Sequence, residues 1–179
     1  RQRGNSTYFP DQVVPMLPER LSNDLCSLRP NEERPCLAVW MRISKFGKLL
    51  SKKFVKGLMT SHAKLTYIGV QTYHEGQKDH GIPGSLDTKN IDHLYEAYEI
   101  LKGARKKRGT LEIDVPEQKI TLQEDGSIKH IQPRPRQESN LLIEEFMVLA
   151  NVAAAEFISE KNKPCLFRVH DSPKPGRVD

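Results

Sequence analysis

Residues 139–159, SNLLIEEFMVLANVAAAEFIS, decide how the rest of the chain is read. Fourteen of these 21 residues are apolar and none is Lys or Arg, although 28 of the 179 residues in the chain are basic. Ser139 precedes the helical pattern as a candidate N-cap, because its hydroxyl can accept from a free backbone N–H of the first turn. At about 100° per residue, Leu142, Phe146, Ala150, Ala153 and Phe157 share one face, and Asn140, Glu144, Val148, Asn151 and Ala155 share the opposite one. A solvent-washed face usually recruits lysines and i,i+4 ion pairs, whereas this one sets a carboxylate and two amides among small apolar side chains. Two readings stand: an ordinary amphipathic helix, or a helix whose Glu144 and Asn151 line a ligand cleft. The adjacent pair Glu144-Glu145 diverges by about 100°, so the two carboxylates are expected not to converge on one ion as catalytic groups or metal ligands.

Bulk properties narrow the class. A chain of 179 residues with 37% hydrophobic content is long enough for a core of its own. It has no run of 18 apolar residues and no basic-then-apolar leader, so a soluble, cytoplasmic protein with no membrane partner is expected. Cys26, Cys36 and Cys165 are far apart and lack CxxC spacing, which predicts buried thiols rather than a disulfide framework or a zinc site. The start at Arg1 and the polar ending SPKPGRVD suggest a piece of a longer protein.

Charge is distributed unevenly. The net charge is +5, yet from Arg34 to His74 there is no Asp or Glu, and that window holds Arg34, Arg42, Lys45, Lys48, Lys52, Lys53, Lys56 and Lys64. Lys102, Arg105, Lys106, Lys107 and Arg108 make a second cluster. Such windows repel themselves unless a polyanion neutralises them, and Trp40, Phe46, Phe54, Tyr67 and Tyr73 interleave rings on which bases can stack. A lysine-rich solvated face is the competing reading.

Local patterns predict an α+β fold with a mixed or antiparallel sheet, hairpins and several helices. Prolines at 10, 15, 18, 30 and 35 keep residues 1–35 irregular. Strands are expected at Cys36–Ser44 and Ser51–Met59 around the turn Lys45-Phe46-Gly47-Lys48, then at Thr110–Val115, Gln118–Gln123, Ser127–Gln132 and, buried, at Cys165–Val169. Asn90–Arg108 reads as a helix stopped by Gly109. Ser61–Tyr73 fits either a loop or a short helix. No Walker loop, GxGxxG, GxSxG, HExxH or DxD is present, and the six histidines do not pair at metal-ligand spacing. On residues alone the chain is a nucleic-acid-binding α+β unit without a visible catalyst.

The wording of the sequence adds more. YFPDQVVPMLPERLSNDLCSLRPNEERPCL, SHAKLTY, RGTLEIDVPE, LLIEEFMVLANVAAAE and LFRVHDSP closely resemble, in order and at compatible spacing, successive blocks of the RNB catalytic domain of the RNase II/RNase R exoribonucleases, nearer RNase R. The resemblance spans essentially the whole chain. It implies processive 3'→5' hydrolysis of single-stranded RNA to nucleoside monophosphates by a monomeric parent with two divalent metals, usually Mg2+.

Residue by residue, the resemblance implies that Tyr8 stacks near the RNA 3' end, that Tyr67 contacts the ribose region, and that Glu144 works with Tyr67 in preferring RNA to DNA. A 2'-hydroxyl is donor and acceptor, so a phenol and a carboxylate can test for it. Asn140 joins Glu144 among the RNA-binding residues, and Arg134 and Arg136 either hold phosphates, which suits the guanidinium fork, or are linker charges before the helix. Where RNase II places a base-stacking phenylalanine this chain has Ile113, which lacks a π-system and implies a weaker clamp. The family's metal-holding aspartates lie in an upstream DxDD-type motif and its transition-state arginine in a later block. The expectation is therefore a partial RNB domain over 1–179, with catalytic residues and metal ligands outside it, inactive alone. A non-catalytic RNA-binding module on a degenerate RNB scaffold is the alternative; a protein-interaction scaffold leaves the ordered blocks unexplained.

Overall fold

The computed structural model describes residues 4–110, 117–134, 136–167, 169 and 171. Its elements are β1 (Thr7–Tyr8), β2 (Val13–Val14), a wide helical turn at Arg20–Leu25, β3 (Glu33–Ile43), β4 (Leu49–Thr60), α1 (Tyr67–His74), α2 (Lys89–Lys107), β5 (Glu117–Leu122), β6 (Ile128–Arg134) and α3 (Glu138–Glu160). The strands form three two-stranded antiparallel ribbons, β1–β2, β3–β4 and β5–β6. The expected α+β class holds.

The long ribbon runs from Glu33 opposite Thr60 to Ile43 opposite Leu49, with a bulge at Arg42/Ile43. Its turn is built by Ser44, whose hydroxyl accepts from the backbone N–H of Phe46 and Lys48, each at 3.2 Å. Lys45-Phe46-Gly47-Lys48 is thus the turn its residue types predict.

The core lies where α1, α2 and the first half of α3 meet. Ile91, Tyr95 and Tyr98 of α2 pack on Leu142 of α3 and on Ile82 of the loop between α1 and α2. His74 stacks flat on Tyr95 with ring centroids 3.6 Å apart, and His80 Nδ1 accepts from the Ile82 N–H, so these two histidines serve structure. The second half of α3 carries the long ribbon: Phe54 meets Phe157 at 4.8 Å, and Lys52 Nζ donates to Glu156 at 2.7 Å and Glu160 at 2.8 Å. Those two carboxylates hold the Lys52 ammonium above its usual pKa, Glu156 first.

Several expectations are corrected. Cys165–Phe167 lie in no strand, and Leu166 is fully exposed, so CLFRV is not a buried strand over its described residues. None of the three cysteines is buried; Cys26 is exposed and Cys36 and Cys165 are half-buried, all unpaired. The strand expected at Thr110–Val115 falls almost entirely outside the described residues. The ambiguous segment Ser61–Tyr73 is non-helical to Thr66 and enters α1 from Tyr67, where Thr66 caps the helix by accepting from Gly69 N at 3.0 Å.

A candidate RNA-binding cleft

Ser139 is not the N-cap of α3. Gln137 takes that place in a reciprocal capping box with Asn140, whose Oδ1 accepts from Gln137 N at 3.1 Å. Ser139 is instead almost fully buried: its hydroxyl donates to the Tyr67 carbonyl at 2.9 Å and its N–H donates to Gln71 Oε1 at 3.0 Å. A short polar residue can bury at this crossing only because both its groups are satisfied. The consequence is positional, since these bonds pin the start of α3 onto the start of α1. Gly69 completes the seat of α1, for a Cβ there would come within 2.5 Å of the His80 carbonyl.

Tyr67 and Asn140 therefore stand side by side on one wall of a cleft of about 770 Å³. Tyr8, Phe9 and Pro10 from the β1–β2 ribbon also line it, and Ile120, Gln132 and Pro133 bring in the β5–β6 ribbon. Tyr8 is 77% exposed and Tyr67 is partly so, which leaves both rings open to a ligand. Asn140 lines the cleft, and with its Oδ1 engaged in the capping box its amide N–H2 is the group left to donate. Two rings, an apolar floor and an amide donor suit a planar base attached to an oxygen-rich backbone.

Glu144 follows Asn140 by four positions and shares its face of α3, but is not among the residues lining the cleft. Its Oε2 pairs with Arg136 and its Oε1 lies 3.7 Å from Arg105 Nη1. Each carboxylate oxygen has two lone pairs, so each keeps one for a further donor. Arg136 is thus held by Glu144. Arg134 ends β6 beside the cleft strand residues, and its side chain lies outside the described atoms, as does all of Ile113. Asn151 is exposed and does not line this cleft.

Sequence reading missed Glu145. It is 7% exposed and its Oε1 sits 2.5 Å from Arg105 Nη1, so both members of the Glu144-Glu145 pair reach one guanidinium. The long side chains bridge the angular divergence that the Cα positions impose. The signal was available in principle: Glu145 lies three residues after Leu142, on the edge of the apolar face, and Arg105 belongs to the lysine-rich end of α2. No group of three or more His, Cys, Asp or Glu side chains that fits a metal occurs among the described residues, nor is any helix there long and apolar enough to cross a membrane.

Known proteins share both sequence and architecture with this chain. Ribonuclease R of Vibrio parahaemolyticus is 43% identical over 176 residues, covering 98% of this chain and 21% of the relative. Ribonuclease R of Escherichia coli is 41% identical over 178 residues, covering 99% of this chain and 22% of the relative. Mycoplasma genitalium RNase R, solved in complex with ribose methylated single-stranded RNA, superposes with a TM-score of 0.86 at 26% identity, covering 94% of this chain and 26% of that one. The chain spans about a fifth of the length of these curated relatives. The RNB domain family matches residues 1–179 from end to end, and the chain belongs to that family.

Proposed function

We propose that this chain supplies an RNA-holding wall in the active-site region of a cytoplasmic, monomeric 3'→5' exoribonuclease that degrades single-stranded RNA to nucleoside monophosphates. The observation that carries the reading is the meeting of Tyr8, Tyr67 and Asn140, from three distant stretches of sequence, in one cleft. In this reading Tyr8 and Tyr67 stack on bases or press on ribose, and Asn140 donates to a ribose or phosphate oxygen. Glu144 accepts from a 2'-hydroxyl with a lone pair its arginines leave free. Arg134 and Arg136 contact phosphates, and Ile113 presses on a terminal base. Membership of the RNB family and the likeness to ribonuclease R proteins support the enzyme reading over a non-catalytic module.

Mg2+ enters this reading only through the family. The described residues hold no carboxylate cluster that fits it, and two-metal hydrolysis needs such a cluster beside the scissile phosphate. The test is degradation of an end-labelled oligoribonucleotide by the full-length protein with Mg2+. Release of mononucleotides from the 3' end is expected. Tight binding without hydrolysis, in a reading frame lacking an upstream aspartate cluster, would establish the non-catalytic alternative.

A further inference from the structure

The turn between β3 and β4 and the C-terminal end of α2 are almost 60 positions apart in sequence and meet in space. Gly47 sits at φ +76°, and a Cβ built on it would lie 2.5 Å from Ala104 Cβ and 3.1 Å from the Ile100 carbonyl, so the turn rests directly on α2. The contact merges two basic clusters. Phe46 is 68% exposed at their junction, with Lys45 Nζ 5.2 Å and Lys107 Nζ 6.0 Å from its ring centroid. Lys45, Lys48, Lys106, Lys107 and Arg108 are all exposed, and none pairs with a carboxylate of the described residues. Nearby Lys52, Lys102 and Arg105 are each neutralised by glutamates. The charge of the patch is therefore not balanced by carboxylates of the described residues.

We propose that this patch is a second binding surface for single-stranded RNA, separate from the cleft. Lys107 lies two positions after Arg105, about 200° further around α2, and so faces away from the Glu144–Arg105 contact. The turn backbone is held by the two Ser44 bonds and by the Gly47 contact, so little backbone order is lost on binding. An exposed cation over a ring is a weak contact, and a base stacking on Phe46 displaces an amine onto the adjoining phosphate. Paired RNA keeps its bases inside the helix and has no face to offer the ring, which selects single strands. An acidic peptide would use the lysines and leave Phe46 without a partner.

The experiment compares a long single-stranded oligoribonucleotide with one only long enough to fill the cleft. Both bind the full-length protein in chelator, so hydrolysis plays no part and failure of the enzyme reading leaves the measurement intact. The variant F46A/K45A/K107A is expected to weaken long-RNA binding about tenfold or more and to make the slope of log K against log salt shallower by about 1.4, at ~0.7 for each of two phosphate contacts. Short-RNA affinity stays unchanged, and F46Y/K45A/K107A regains part of the loss because the ring returns. Unchanged long-RNA affinity and salt slope, equal losses on both lengths, or wild-type binding of polyglutamate as tight as long RNA each overturn the proposal. So does a lowered melting temperature with intact long-RNA binding, which would assign the cations to the C-terminal dipole of α2.

Discussion

Arg105 Nη1 of α2 lies 2.5 Å from Glu145 Oε1 of α3, an ion pair whose carboxylate is almost wholly buried. Removing the Glu145 carboxylate takes away the buried partner of Arg105 and leaves the guanidinium its longer contact with Glu144, so the cost lies below that of a fully stranded buried charge. Glu145→Ala is expected to destabilise the protein by roughly 2–4 kcal/mol, allowing for the partial exposure of Arg105. Chemical denaturation should show a lower midpoint at unchanged slope. Glu144→Ala, at a half-exposed carboxylate, should cost under about 1 kcal/mol. Equal losses for the two variants would contradict the burial difference.

Glu144 should matter for recognition instead. Loss of one charge-assisted hydrogen bond to a 2'-hydroxyl is expected to narrow the preference of the full-length protein for RNA over DNA by roughly tenfold. Relative affinities for matched RNA and DNA oligomers, measured for wild type and Glu144→Ala, provide the check. An unchanged ratio removes Glu144 from sugar discrimination.

Tyr95 predicts a pH response. Burial pushes its phenol up to about 12, with Glu138 adding to the shift, and its hydroxyl is buried without a hydrogen-bond partner among the described residues. The unfolded chain ionises near pH 10 while the native phenol holds its proton, so the unfolded state gains as pH rises between about 10 and 12. Stability should therefore be full below pH 10 and decline by roughly 2–3 kcal/mol across that window. Tyr95→Phe should reduce this decline, leaving the part due to Tyr98, Lys52 and Lys102, whose pKa values are also raised, and be neutral or slightly stabilising at pH 7, since it removes an unsatisfied polar group. A cost above about 2 kcal/mol at neutral pH would show that the hydroxyl has a partner.

Gly47 seats the turn of the long ribbon on α2. Gly47→Ala combines a left-handed backbone with a collision against Ala104, and both terms act in the same direction. A loss of about 2–3 kcal/mol is expected, together with faster hydrogen exchange in β3, β4 and the last turn of α2. Gly126→Ala, also at positive φ but with open space around its Cβ position, should lose only about 1 kcal/mol.

Much of the architecture is legible locally. The expected helix Asn90–Arg108 is observed as Lys89–Lys107, and the predicted long hairpin appears with slightly longer strands. Apolar spacing sets the faces of α2, and a Ser-to-Gly turn sets the ribbon; both depend on neighbours a few residues away. CLFRV shows the limit of that signal. A short apolar run is ambiguous by periodicity, and a strand needs a partner that the described residues do not provide.

The sequence by itself determined the α+β class, α2, α3, the basic ribbon and the resemblance that singled out Tyr8, Tyr67 and Glu144. Those features follow from periodicity, turn chemistry and ordered blocks, all written along the chain. Only the tertiary structure decided that Ser139 ties α3 to α1 rather than capping it, that Glu145 is the buried carboxylate, and that Asn140 shares a cleft with Tyr8 and Tyr67. A hydrogen bond from Ser139 to Tyr67 crosses 72 residues, and Arg105 to Glu145 crosses 40. Which polar group is satisfied by which distant partner depends on how the helices cross, and no local pattern encodes that crossing.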